Sequence, residues 1–246
     1  MRFMFLGTGR YRPTETRHTA CLFQPETGLV FDAGTGLFRV FSNLKTRDLD
    51  IFVTHSHLDH IMGLPDCHVP LKLDHLDRVR VFGNQKTLDA IRQHLFAPAL
   101  FPVQTTLEFH ELTTSHEVQG GGILTQISLD HPGGSTGYKV SWPNFSMAYI
   151  TDTFANDSYR EFISGVDLLV HECNFDDELR DLAEQTGHSY ASAVAQVAKS
   201  ANVKHLVLTH FDAYADPHRP IDLERVRSIF PNTTIARDLM TFDHPE

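Results

Sequence analysis

Three cysteines, one tryptophan and only 21 lysines and arginines against 31 aspartates and glutamates mark what this 246-residue chain has little of. Cys21, Cys67 and Cys173 form no CxxC pair and are odd in number, so they supply no disulfide framework. Cys21 reads as a core residue, and Cys173, in a polar context, as one that lines a site. The formal net charge of -10 excludes broad, charge-driven nucleic-acid binding, which depends on Lys and Arg neutralising phosphates; a local basic patch stays open. No apolar run is long enough to span a bilayer, and Met1 to Gly7 is too short before its glycine for a signal peptide, so no membrane partner and a cytoplasmic location are expected. Repeats, low-complexity stretches and disordered linkers are missing as well, and residues 1–246 are read as one domain.

Histidine is what the chain has in excess: 16 residues, more than core packing asks for. Three of them fall with a carboxylate inside Val53-Thr54-His55-Ser56-His57-Leu58-Asp59-His60-Ile61-Met62-Gly63-Leu64-Pro65. Asp50 to Val53 reads as a short buried strand, so the polar cluster emerges at a strand end, where a rigid frame holds ligands in a loop. His55 and His57 then point to one side, while Asp59 and His60 begin a short helix and turn towards a second position. Imidazole with carboxylate suits zinc, with iron or manganese as alternatives.

The remaining pattern places the cluster in a fold. Strands are expected over Arg2 to Leu6, Thr19 to Gln24, Leu29 to Asp32 and Val79 to Gly83, and helices over Gly36 to Leu44 and Gln85 to Leu95. Four further strand-like runs follow, around Thr105 to Glu111, Ile123 to Leu129, Gly137 to Trp142 and Ser146 to Thr151. The last third alternates: helix Asp157 to Ile163, strand Val166 to Val170, helix Ser189 to Ser200, strand His205 to Thr209, helix Ile221 to Phe230. Strand runs mixed with helices suggest helix-covered sheets, and two such halves suggest an α/β (α+β) chain built as a four-layer αββα sandwich. Periodicity alone does not separate this from other α/β layouts.

Three more polar residues sit where strands end: His131, Asp152 and His210. A lone strand-end histidine is more often a surface or satisfied residue. Added to the first cluster, these three supply enough nitrogen and oxygen ligands for two metals, with a carboxylate to bridge them.

With these residues in view the chain resembles metallo-β-lactamase-fold hydrolases, and within them the short-form ribonuclease Z and phosphodiesterase branch. The resemblance runs from Phe5-Leu6-Gly7-Thr8-Gly9 and Phe31-Asp32-Ala33-Gly34 through His55 to Pro65, Gly137-Tyr138-Lys139 and Thr151-Asp152-Thr153, to Gly187-His188-Ser189 and Leu208-Thr209-His210-Phe211. It implies two divalent ions, one held by His55, His57 and His131, the other by Asp59, His60 and His210, with Asp152 bridging and Asp59 also catalytic. A metal-bridging hydroxide is then expected to attack phosphorus or a carbonyl, so no side-chain nucleophile is needed. The resemblance also picks out Glu172 and His188 as a pair that protonates the leaving oxygen, with Glu172 orienting the imidazole. His171 is the weaker candidate. A homodimer is implied too.

Two departures bear on substrate. Where the ribonuclease Z pattern has Pro-x-Lys-x-Arg-Asn, this loop reads Pro13-Thr14-Glu15-Thr16-Arg17-His18, placing a negative charge where RNA phosphate would approach. Between His131 and Asp152 there is room for a turn and two strands but not for a long basic arm that grips tRNA. These points argue against tRNA and for a small-molecule substrate, with a nucleotide or cyclic-nucleotide phosphodiester ahead of a carboxylic ester, lactone or thioester. Arg10, Arg12, Arg17 and His18 are candidates to receive an anion, and Ser135, Thr136 and Asn174 to line the pocket. Asp32 is divided evenly between a turn role and a bond to a ligating histidine. Gly7-Thr8-Gly9 is not a nucleotide loop, since Arg12 takes the third glycine's place. An iron oxidoreductase is disfavoured by His57, where that branch has a carboxylate. A non-catalytic module would have no need of all these groups.

Overall fold

The computed structural model describes residues 1–112 and 114–244. Its strands are β1 (Arg2–Gly7), β2 (Cys21–Gln24), β3 (Leu29–Phe31), β4 (Asp48–Phe52), β5 (Arg78–Gly83), β6 (Glu108–Glu111), β7 (Ser115–Val118), β8 (Gly122–Leu129), β9 (Ser135–Trp142), β10 (Phe145–Ile150), β11 (Leu168–Glu172), β12 (His205–Thr209), β13 (Thr233–Ile235) and β14 (Met240–Asp243). Among the described residues they make two sheets, ordered β14-β1-β2-β3-β4-β5-β6 and β13-β12-β11-β10-β9-β8-β7. In both, antiparallel pairings give way to parallel ones at a single strand, β3 in the first and β10 in the second. The two halves of the chain therefore repeat one topology that no sequence repeat announces.

Alternation of side chains along each strand separates three apolar layers. Along β4, Leu49 and Ile51 join Leu37, Leu64 and Leu88 under the helices of the first sheet, while Phe52 turns to the space between the sheets. Along β11, Leu168 and Val170 face that space, and Leu169 faces the helices of the second sheet. The middle layer is aromatic: Phe52 stacks on Phe82 with centroids 4.7 Å apart, and Phe31 meets Tyr138 and Tyr149 at 6.0 and 5.4 Å. Helices on both outer faces complete the expected αββα sandwich: α1 (Leu58–Ile61), α2 (His68–Lys72), α3 (Gln85–Ala90), α4 (Arg180–Thr186), α5 (Ala191–Ser200) and α6 (Leu223–Ile229). No helix is long and apolar enough to cross a membrane among the described residues.

Several expected elements are shorter than their pattern. Gly36 to Leu44 forms a 3-10 helix over Leu37–Ser42, the regular part of Asp157 to Ile163 is a 3-10 turn at Asp157–Tyr159, and α3 passes into a π turn over Ile91–Leu95. Strand β6 begins only at Glu108 because pairing with β5 starts there. Strands β7, β13 and β14 were not expected; each is three or four residues long and owes its existence to a partner strand rather than to its own periodicity.

Candidate metal centre

The ends of the parallel strands deliver the polar residues to one edge. After β4 the chain runs through Thr54-His55-Ser56-His57 into α1, which carries Asp59 and His60; Asp152 lies just past β10, and His210 follows β12 directly. Asp32, Asp152 and His210 have φ of 58°, 53° and 60°, in the left-handed region where Asp and His are tolerated better than most residues. Asp32 and Asp152 occupy corresponding places, past the two strands at which pairing switches from antiparallel to parallel.

Two donor groups result. His55, His57, His131 and Asp152 offer atoms that all lie within 4.8 Å of one another, and so do Asp59, His60 and His210. Asp152 belongs to both: Oδ2 lies 3.5 Å from His55 Nε2 and 3.5 Å from His131 Nε2, and Oδ1 lies 3.2 Å from His60 Nε2 and 3.3 Å from His210 Nε2. Asp59 Oδ2 is 3.5 and 3.4 Å from the same nitrogens of His60 and His210.

The other ring nitrogens show that lone pairs, not protons, face the centre. His60 Nδ1 donates to Asp32 Oδ2 at 2.8 Å, and His131 Nδ1 donates to Gly187 O at 3.0 Å. Thr54 Oγ1 is a donor to Asp32, so it accepts from His55 Nδ1 at 3.1 Å. In each ring Nε2 is left as the acceptor, and the buried Nε2 of His55 has no hydrogen-bond partner among the described residues. Burial lowers the pKa of His55, His57 and His131, keeping them in the neutral form that ligates. His60 differs: burial opposes charge on it, but Asp152, Asp32 and Asp59 outweigh this and raise its pKa well above the ordinary value, which favours a proton on Nε2 that a bound cation would displace. The same three carboxylates provide the negative potential that a cation requires, so this donor set fits a divalent metal.

Beside the donors lies a second polar unit. Along β11, Glu172 falls on the same face as Val170; its Oε1 accepts from Thr153 N at 2.6 Å and His188 Nδ1 at 3.0 Å, and Oε2 accepts from Ser189 N at 3.1 Å. The amide of Asn174, oriented by its neighbours, accepts from His188 Nδ1 at 2.7 Å and Arg10 NH1 at 2.9 Å and donates to His210 O at 2.7 Å. Two acceptors on Nδ1 place a proton there, and the ring stays against the centre, where His188, Asp152 and His210 offer atoms that all lie within 4.8 Å of one another. Burial works against charge on His188, yet Glu172 dominates and raises its pKa. The αL glycine before it, Gly187 at φ 70°, is required: a Cβ there would sit 2.5 Å from Pro132 Cδ and displace the carbonyl that orients His131.

Other expected site residues sit elsewhere. Arg17 is not free to receive an anion: it is buried, NH1 donates to Thr8 Oγ1 at 2.6 Å and Ala236 O at 2.8 Å, and its guanidinium lies over Phe211. His18 is committed through Nδ1 to Thr35, 3.0 Å from its carbonyl. Ser135 and Thr136 are buried strand-end ties, with Ser135 Oγ donating to Thr151 O and Asn84 Nδ2 to Thr136 Oγ1, rather than pocket lining. Cys173 turns into the helix-facing core instead of the site, where burial pushes its thiol up, and His171 is occupied by Tyr159 Oη at 2.8 Å and Glu172 O at 2.7 Å. Arg10 and Arg12 stay at the rim, over Phe175 and Tyr214. Sequence reasoning missed Thr54 and Tyr149, which bond Asp32 (Tyr149 Oη at 3.1 Å), and the backbone N–H of Tyr11, which donates to Asp59 Oδ2 at 2.7 Å. Thr54 carried one signal, its place against His55.

Comparison with known proteins agrees with this geometry. The family model described as "Beta-lactamase superfamily domain" matches residues 27–211. Ribonuclease Z of Methanosarcina acetivorans is 26% identical, covering 100% of this chain and 98% of the relative, and that of Microcystis aeruginosa is 29% identical, covering 100% and 96%. The first alignment runs over 302 positions against 246 residues here, so the relative carries insertions. Among solved structures, the metallo-β-lactamase fold protein YhfI of Bacillus subtilis superposes with a TM-score of 0.80 at 17% identity, covering 98% of both chains. Human short-form tRNase Z superposes with a TM-score of 0.77 at 24% identity, covering 100% of both.

The expectation that tRNA is not a substrate is overturned by these relatives, which are named for ribonuclease Z and align along the whole chain. Glu15 is exposed in the loop after β1, and the short link from His131 to Asp152 is a β9–β10 hairpin; neither belongs to the donor groups. Phosphate contacts act in sum, so the loss of some weakens RNA binding without excluding it. A frame, a donor set and a full-length likeness that coincide leave one conclusion: the chain belongs to the beta-lactamase superfamily domain family and is a metal-dependent hydrolase of the metallo-β-lactamase fold.

Proposed function

We propose that the chain, residues 1–246 acting as one domain, is a phosphodiesterase of nucleotide-containing substrates, with RNA as the leading one. The observation that supports it is the Glu172–His188 unit beside the two donor groups, since a proton donor matters most for a poorly departing alkoxide. Divalent ions, zinc first among them by ligand type, would be held by His55, His57, His131 and Asp152 and by Asp59, His60, His210 and Asp152, and supply the Lewis acidity that activates water and polarises a phosphoryl oxygen. The chain's own part is to fix the imidazoles of His55, His60 and His131 through Thr54, Asp32 and Gly187, to favour the doubly protonated form of His188 by holding its Nδ1 proton on Glu172 and Asn174, and to give the separate Nε2 proton of that imidazolium to the leaving oxygen. The names of the relatives make a tRNA precursor the first RNA to assay.

The test combines metal analysis with hydrolysis of bis-p-nitrophenyl phosphate, a tRNA precursor, a lactone, a thioester and nitrocefin. Phosphodiester cleavage that falls in Asp59→Ala is expected. His188→Ala should lower the rate on RNA by about 10² to 10⁴-fold and much less on bis-p-nitrophenyl phosphate, whose leaving group needs no proton. Cleavage of the carbon esters alone, by a protein with full metal content, would refute the reading.

A further inference from the structure

The loop after β1 contains a residue whose backbone does not suit its type. Tyr11 has φ 62°, a region that bulky residues avoid, and its N–H is pinned to Asp59 Oδ2 at 2.7 Å, so a carboxylate of the metal centre holds the loop there. Core packing does not account for the conformation, because Tyr11 is 67% exposed. The second exposed tyrosine of the rim, Tyr214, is 78% exposed; it lies four residues beyond His210, and the guanidinium of Arg12 sits 5.0 Å from its ring centroid. Arg10, on the other side of Tyr11 in sequence, reaches Asn174 beside His188. Two exposed rings and two guanidinium groups thus share the rim beside Asp59 and Asn174 in an otherwise acidic chain.

We infer that Tyr11 and Tyr214 form a stacking platform for an unpaired nucleobase next to the scissile phosphate, with Arg10 and Arg12 meeting the adjoining phosphates; this rests on the phosphodiesterase reading. Every base has a face that stacks on an aromatic ring, and guanidinium groups add charge and planar contact, so such a platform selects for bases without reading their sequence. Glu15, Asp212 and Asp216 line the cleft that continues from Arg12, which limits favourable contact to a short single-stranded stretch.

Fluorescence anisotropy of the metal-loaded protein with a hydrolysis-resistant, labelled RNA hexamer and its abasic counterpart tests this. The wild type should bind the base-bearing oligomer at least about five-fold more tightly, the lower end of what one stacked base contributes. Tyr11→Asn, which suits the left-handed backbone but has no ring, and Tyr214→Ala should each bring that ratio towards one, while Tyr11→Phe retains it. Equal affinity of the wild type for both oligomers, or an unchanged ratio in Tyr11→Asn at full metal content, overturns the platform. Failure of the underlying reading is scored separately, as a wild type that does not hydrolyse bis-p-nitrophenyl phosphate.

Discussion

Replacing Asp32 by asparagine should weaken the metal centre from behind, without touching a ligand. Asp32 is fully buried and accepts from five donor contacts: Thr54 N at 2.8 Å, Thr54 Oγ1 at 3.0 Å to each oxygen, His60 Nδ1 at 2.8 Å and Tyr149 Oη at 3.1 Å. An asparagine keeps the shape and tolerates φ 58°, but only its oxygen can accept. With that oxygen on Thr54, the amide N–H groups face His60 Nδ1, which must then be an acceptor. The proton moves to Nε2, and the lone pair that faced His210 and Asp59 is lost. Disturbing the group that orients a ligating histidine costs about 10- to 100-fold in metal affinity, or about 1.4 to 2.7 kcal/mol. Asp32→Ala should cost more, about 3 to 5 kcal/mol of folding stability, because it strands several buried donors and leaves alanine in a left-handed conformation. Competition with a chromogenic chelator measures the affinity, and urea unfolding the stability. If Asp32→Asn holds both metals as tightly as the wild type, the tautomer argument is wrong.

Removal of metal by a chelator should abolish hydrolysis and lower the melting temperature, with both restored by added zinc, since buried donors such as His55 Nε2 lose their partner; activity that survives metal-free conditions would contradict the centre. Tyr138→Phe should destabilise the fold by about 1 to 3 kcal/mol in urea titration, because the Tyr138 hydroxyl donates to buried Val53 O at 2.7 Å, two residues before His55. Gly34→Ala should cost about 3 kcal/mol or more, as a Cβ there would lie 2.2 Å from Asp59 O and 2.5 Å from Thr19 Oγ1; an unchanged unfolding midpoint would refute the close approach of that loop to α1.

The donor residues were legible because each stands at the end of a strand run that periodicity exposes: His55 and His57 after Ile51-Phe52, Asp152 after Tyr149-Ile150, His210 after Leu208-Thr209. Layering was legible for a similar reason, since buried strands and amphipathic helices alternate. Arg17 was not. Its neighbours in sequence are polar, and nothing local tells that Ala236 and Phe211 arrive from the far end of the chain to enclose it.

By itself the sequence determined which chemistry is available: imidazole and carboxylate at strand ends, and a frame of helices and strands set by local periodicity; the pairing of Glu172 with His188 was implied by family resemblance alone. Tertiary structure alone decided which nitrogen of each histidine carries a lone pair, how Asp152 divides its two oxygens between two groups, and that Asp32 bonds His60 rather than merely closing a turn. Most of these depend on distant partners: those of Asp32 lie 22 to 117 positions away in the chain, from Thr54 to Tyr149. Hydrogen bonds are directional over about 3 Å, so only packing of the two sheets to that accuracy could settle them.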